Sequence, residues 1–136
     1  MLWPLDCFVA RAPRNDGSGA DDPIDKGEPR RFLAEAVARC AAGAPGDAFR
    51  LLLCHRPEGF IPASAHGFHL TLSGHTHGGQ LMLGEDLGVG PMLYRYWSGH
   101  YLRANSQLIV SNGVGNWFPL RVDAPAEIVH LTLRRA

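Results

Sequence analysis

Apolar positions recur along this chain with two periods, and each period predicts its own kind of element. After Pro29, the residues Phe32, Leu33, Ala36, Val37 and Cys40 return every three or four positions, the spacing that lays one apolar stripe along a helix. Pro29 suits a first turn and Gly43 a stop, so a helix is predicted from Pro29 to Ala42. Shorter apolar runs, Phe49 to Cys54, His69 to Ser73 and Leu108 to Ser111, read as strands. Glu127 to Leu133 alternates Val129, Leu131 and Leu133 with His130 and Thr132, as a half-buried strand does. Arg11 to Lys26 is crowded with Pro, Gly, Asp, Ser and Asn and reads as a loop or flexible lead-in. Leu83 to Tyr101, rich in glycine and aromatic residues but without a period, reads as a long loop holding at most a short hairpin. Four strands and one or two helices make an incomplete α/β layer, and no internal repeat or low-complexity tract interrupts it.

Composition narrows the class. The chain has 136 residues, 46% hydrophobic and 19% charged, an ordinary balance for one globular domain. Its net charge is zero, so a basic surface for nucleic acid is not expected. Cys7, Cys40 and Cys54 are an odd set without C-x-x-C spacing, which argues against a disulfide framework or a cysteine-rich zinc site and fits a reducing compartment. Met1-Leu2-Trp3-Pro4-Leu5 is too short an apolar start for a signal peptide or a membrane span. A soluble, cytoplasmic chain is expected.

Two of the predicted strands end at a histidine, His55 and His75, and the crevice at the carboxyl ends of strands in an open α/β sheet is where loops converge on ligands. The second histidine opens the run Gly74-His75-Thr76-His77-Gly78-Gly79-Gln80. Side chains at i and i+2 leave the same face of an extended or turning backbone, so His75 and His77 can converge on one ion or on two adjacent ions. His55, His75 and His77 are therefore the candidate metal ligands, and since a ligating imidazole must be neutral, binding should weaken as the pH falls. His66, His69 and His130 have no such setting and read as ordinary polar residues. Cys54 reads as a small buried hydrophobe, and Asp21-Asp22-Pro23 as a turn.

The run Gly74 to Gln80 resembles the C-terminal signature of the calcineurin-like metallophosphoesterase superfamily, in the branch that carries GHTHGGQ after a buried strand. Other segments follow that branch in order: Gly19-Ala20-Asp21-Asp22-Pro23; Leu51 to Cys54 ending in His55-Arg56-Pro57-Glu58; Tyr96-Trp97-Ser98-Gly99-His100-Tyr101; Val110-Ser111-Asn112-Gly113-Val114-Gly115; Pro119-Leu120-Arg121; and Pro125-Ala126-Glu127-Ile128. The resemblance runs from about Gly19 to the end and leaves residues 1–18 as an unmatched lead-in. It implies the C-terminal half of an α/β/β/α four-layer fold, a partial β-sandwich flanked by helices. It also implies phosphomonoester or phosphodiester hydrolysis by a water activated between two divalent ions, Mn, Zn or Fe. On that resemblance His55 and His75 would ligate one ion and His77 the other, and His100 would come from a segment bordering the phosphoester substrate; Arg121 is read as meeting a phosphate or capping a helix or sheet carboxylate. Many full-length relatives would carry a membrane anchor ahead of this region.

The same family builds its other ligands from D-x-H, G-D-x-x-D and G-N-H-[DE], and this sequence has none of these. Three readings follow. The chain is a hydrolase-family domain holding the C-terminal ligands, in which His55, His75 and His77 together could still hold a single Zn²⁺. Alternatively it is a non-catalytic metal-binding or interaction module, which self-associates or joins a complementing chain through the sheet edge that the missing half leaves open. In the third reading it is a remnant of a longer gene, or a reading frame with a misplaced start.

Overall fold

The computed structural model describes residues 7–11, 29–45 and 47–134. Helix α1 (Pro29–Ala42) has the bounds that its apolar period predicts. It buries Leu33, Ala36 and Val37 and leaves Arg31 and Glu35 outside, paired at 3.0 Å across one exposed turn, a contact that contributes little to stability. The strands are β1 (Cys7–Arg11), β2 (Phe49–Leu53), β3 (Leu70–Ser73), β4 (Gly99–Arg103) and β5 (Ser106–Val110). They form one mixed sheet in the order β1-β2-β3-β5-β4. β1, β2, β3 and β5 run parallel, and only β4 is antiparallel to its neighbour. Two short helices complete the layer, α2 (Phe60–Ala65) and α3 (Val89–Leu93).

Helices cover one face of the sheet. Leu33 and Val37 of α1, Leu52 and Cys54 from β2 and its end, Ala63 of α2 and Phe68 make one apolar cluster. Phe60 of α2 with Tyr96, Leu108 and Val110 makes a second, joined by Tyr101. Alternation along the strands turns Leu53 and Leu102 to the opposite face, where they remain 38% and 72% exposed. The architecture is thus α/β, with one face of its mixed sheet covered and the other partly open.

Several expectations change. Residues 127–133 form no strand with any of the described residues, and Val129, Leu131 and Leu133 are all partly exposed. The sequence has the alternation a strand needs, but a strand exists only by hydrogen bonding to a neighbour, and among the described residues the segment's backbone bonding is limited to Glu127 N–H to Gly113 O, 3.1 Å. The supposed long loop from Leu83 to Tyr101 contains α3 and the start of β4. β4 pairs with β5 through a two-residue turn in which Ala104 takes a left-handed φ of 49°. β1 falls within the stretch read as a lead-in. The segment Gly19 to Pro23, with Asp21 and Asp22, lies outside the described residues. Among the described residues no helix is long and apolar enough to cross a membrane.

Candidate metal centre

Because β2, β3 and β5 are parallel, their carboxyl ends fall on one edge, and the segments that follow them meet there. His55 stands two residues beyond β2 and His75 two beyond β3; Asn112 stands two beyond β5. The strand ends are tied together by backbone bonds from Cys54 N–H to Leu72 O (3.0 Å), Gly74 N–H to His55 O (3.1 Å) and Ser111 N–H to Ser73 O (2.9 Å).

This brings two of the three predicted imidazoles together. His75 Nδ1 lies 3.1 Å from His55 Nε2, with the rings edge to face at 4.9 Å. A single proton can sit between two such nitrogens. Two ligand nitrogens at about 2.0–2.1 Å from one ion, at tetrahedral or octahedral angles, would be separated by roughly 2.9–3.4 Å, so the pair has the spacing of neighbouring ligands. His75 is also held neutral. Burial first, then the Arg56 guanidinium and the His55 ring, push its pKa from 6.5 down to about 4, against an opposing effect of Glu58.

His77 belongs to the same turn but not to the same cluster. Its Nδ1 lies 2.8 Å from Gly115 O and 3.4 Å from the Arg121 guanidinium. The carbonyl contact is the shorter and can only accept, which assigns the proton to Nδ1 and leaves the Nε2 lone pair for a ligand. A backbone carbonyl fixing the tautomer in this way is the usual second partner of a metal-bound histidine. Among the described residues no group of three or more His, Cys, Asp or Glu side chains could hold an ion. The single-ion set of three imidazoles is therefore not formed. What is present fits the imidazole portion of a metal centre. Among the described residues, the buried polar atoms Glu58 Oε2, Ser73 Oγ and Asn112 Oδ1 lack hydrogen-bond partners, and each lies on one of the three segments that meet at this edge.

The turn carrying the histidines is strained and closely packed. His75, His77 and Gln80 adopt positive φ of 73°, 52° and 53°, a region that non-glycine residues seldom occupy. Gly79 is at φ 79°, and a Cβ there would stand 2.3 Å from Gly90 N; only glycine lets α3 approach so closely. Thr76 Oγ1 donates to Trp97 O at 2.6 Å. Gln80, fully buried, donates from Nε2 to Phe118 O and Leu120 O at 2.7 and 3.0 Å. Its Oε1 accepts from the Trp117 and Phe118 amides at 3.0 and 3.2 Å. The sequence offered Gln80 only as part of a motif; its role as a clamp appears in the structure.

Arg121 and His100, the two candidate substrate residues, sit apart from the histidine pair. The Arg121 fork is directed at the protein's own oxygens: Asn116 Oδ1 at 2.6 Å, Ala124 O at 2.9 Å, Asn112 O at 3.0 Å, His77 O at 3.2 Å, and Gly115 O. His100 is exposed on β4, with Nε2 3.0 Å from Gln107 Oε1. It lines a cleft of about 490 Å³ with Gly78, Trp97, Asn112, Asp86 and Asp123, and that wall includes none of His55, His75 and His77. The residues read as ordinary behave so. His69 Nδ1 accepts from the Arg50 amide at 3.0 Å and its ring stacks on Phe49. Cys54 is buried, its thiol pushed up to about 11 by burial and donating to Arg56 O.

An α/β sheet that gathers imidazoles at the carboxyl ends of its parallel strands defines a class of ligand-binding domain, and comparison with known proteins narrows it. The chain is 36% identical over 129 residues, 93% of its length, to an uncharacterized metallophosphoesterase of Campylobacter jejuni. It is 35% identical over 92 residues to the uncharacterized metallophosphoesterase YkuE of Bacillus subtilis, and 38% identical over 86 residues to one of Helicobacter pylori. These matches cover 93%, 63% and 61% of this chain but 32%, 31% and 23% of the respective relatives. The chain belongs to the metallophosphoesterase family, and it spans about a third or less of the curated relatives it matches. The Campylobacter match reaches ahead of Gly19 into the first eighteen residues. No family model matches the chain, and no solved structure matches it significantly.

Proposed function

We propose that the chain supplies the histidine side of a metal-dependent phosphoesterase centre, with His55 and His75 on one divalent ion and His77 on a second. The observation that carries this is the 3.1 Å approach of His55 Nε2 and His75 Nδ1 beyond adjacent parallel strands. The fold in this reading is half of a four-layer sandwich, and the sheet face with Leu53 and Leu102 exposed is its inner side. Bound Mn, Zn or Fe ions would supply Lewis acidity toward a phosphoryl oxygen and a nucleophile at neutral pH. The chain's own contribution is to hold the His75 imidazole neutral, to fix the His77 tautomer through Gly115 O, and to keep the rings on one edge of the sheet. The reaction is phosphomonoester or phosphodiester hydrolysis, and His100 and Arg121 take part in it by shaping the rim, not as ligands. The setting is soluble and cytoplasmic for this portion.

The test is the metal content of the purified chain after loading with Mn²⁺ or Zn²⁺ and removal of the excess, for wild type and His75→Ala, followed by hydrolysis of p-nitrophenyl phosphate and bis-p-nitrophenyl phosphate. Bound metal that disappears in His75→Ala is the expected result. Metal content and turnover that both survive the substitution would refute the reading.

A second reading, a non-catalytic interaction module, is favoured by one observation. Residues 127–133 carry a strand pattern without a partner strand among the described residues, and Ile128 is 86% exposed. In that case a complementing chain or a second copy pairs with the open sheet edge or with this segment. A chain that sediments as a monomer at every concentration would count against self-association.

A further inference from the structure

Arg121 stands where a later part of the chain crosses the histidine turn. Val122 N–H donates to Gln80 O at 2.7 Å and Met82 N–H to Val122 O at 2.9 Å, a short parallel bridge between Leu81 and Val122 that sets Arg121 beside the turn. Each nitrogen of the fork then has its own acceptors. Nε donates to Asn116 Oδ1 at 2.6 Å, Nη1 to Ala124 O at 2.9 Å and His77 O at 3.2 Å, and Nη2 to Asn112 O at 3.0 Å and to Gly115 O. Nη2 carries two hydrogens, and those two carbonyls are nearer to it than His77 Nδ1, at 3.4 Å. The ring nitrogen therefore receives no hydrogen from Arg121 and donates its own to Gly115 O at 2.8 Å. Gly115 is exposed, in a segment outside any helix or strand, and among the described residues its carbonyl meets the His77 ring and the Arg121 fork.

We propose that Arg121 is a positioning residue for His77: its guanidinium holds the Gly115 carbonyl opposite Nδ1, so that the ring keeps its proton there and offers the Nε2 lone pair to a divalent ion. Which nitrogen of an imidazole is free for a metal is set by the hydrogen bond that the other one makes, and here that bond ends on a carbonyl whose segment has to be held in place. A planar fork donating from three nitrogens ties the carbonyls of His77, Asn112, Gly115 and Ala124 together; the compact ammonium of a lysine lacks that geometry. The grip on His77 O adds to this, because it fixes the main chain of a residue held at a φ of 52°. The proposal rests on the reading of His77 as a metal ligand, and it gives Arg121 a role that needs no contact with substrate.

The experiment records long-range proton–nitrogen NMR correlations of the histidine rings in the full, isotope-labelled chain, treated with chelator and held at about pH 7.5, above the ordinary histidine range. Wild type, Arg121→Gln, Arg121→Lys and His77→Asn are compared, the last to assign the His77 signals, and each is then titrated with Zn²⁺ alone by calorimetry. In wild type, His77 should show a protonated Nδ1 and a bare Nε2. In Arg121→Gln the proton should pass largely to Nε2 and Zn²⁺ should bind about 10-fold more weakly, while His66, His69 and His130 keep their signals. Arg121→Lys, which can still donate to Gly115 O, should recover part of the wild-type pattern. A role in packing alone would lower stability without moving a proton from one ring nitrogen to the other. A wild-type ring protonated on Nε2, or the same tautomer in wild type and Arg121→Gln, overturns the proposal. Loss of the dispersed spectrum in both Arg121 variants overturns it in favour of a purely structural role. The ligand reading is judged apart from these outcomes: Zn²⁺ binding by His77→Asn equal to wild type overturns that reading, whichever tautomer is seen.

Discussion

Gln80→Ala tests how the histidine turn is held. The side chain is fully buried and makes four hydrogen bonds, two donated to Phe118 O and Leu120 O and two accepted from the amides of Trp117 and Phe118, at 2.7–3.2 Å. At a net contribution of about 0.5–1.5 kcal/mol each, four such bonds amount to about 2–6 kcal/mol. Trp117, Phe118 and Leu120 are 53%, 45% and 51% exposed, so water can reach the freed backbone groups, which places the loss near the lower end, about 2–3 kcal/mol. For a chain of this size that corresponds to a fall of about 8–12 °C in Tm. Urea and thermal unfolding followed by circular dichroism measure it, and amide hydrogen exchange locates it, since the Trp117 and Phe118 amides should lose protection first. Gln80→Glu should be at least as damaging, because it turns an oxygen toward two carbonyls. A loss below about 1 kcal/mol with unchanged exchange at residues 117 and 118 would refute the clamp, because that loss is less than one ordinary bond per pair broken.

Gly79→Ala should cost about 3 kcal/mol or more, because its Cβ would collide with the backbone of Gly90 at a φ of 79° that already disfavours a side chain; the urea midpoint reads it, and near-wild-type stability would mean that α3 does not pack on this turn. His75 is kept neutral to about pH 4 by burial, Arg56 and His55. Between about pH 6.5 and 4 the unfolded chain therefore takes up this proton before the folded one. Metal-free stability tied to the neutral ring is present above that window and is lost as the pH falls through it. Unfolding measured from pH 7 to pH 4 in the presence of chelator should be flatter in His75→Gln over that range.

The sequence reads well where the signal is local. The α1 stripe of Leu33, Ala36 and Val37 marks a helix by itself, and its bounds agree with the prediction. β2 and β3 are continuous apolar runs, and their ends deliver His55 and His75 to the same edge, as expected. β4 was hidden because four of its five residues are exposed and so show no alternation. α2 was hidden by its brevity and by Pro62 within it. Residues 127–133 mislead in the opposite way: the alternation is present, and no neighbouring strand stands among the described residues. The roles of Gln80 and Arg121 were illegible for a simpler reason. Both bind main-chain groups, with Gln80 reaching across 37–40 residues and Arg121 across 44 residues to His77 O, and a backbone carbonyl leaves no mark in a sequence.

Strain and support at the histidine turn point in one direction. Three non-glycine residues within six positions, His75, His77 and Gln80, hold left-handed backbone, at a cost of order 1 kcal/mol or more each. Glycine at those positions would relieve the strain and remove the two imidazoles and the clamp. The strain is opposed by bonds that would otherwise have no reason to converge here: Thr76 to Trp97 O, Gln80 to the 117–120 segment, and Arg121 to His77 O and to the carbonyls beyond β5. These contacts fix the backbone around the rings, with His75 Nδ1 against His55 Nε2 and His77 Nδ1 against Gly115 O and the Arg121 guanidinium. Here the side chains of Thr76, Gln80 and Arg121 bond backbone groups far from their own positions in sequence, so the strain at His75 and His77 is balanced by contacts drawn from the segments around residues 97 and 112–121.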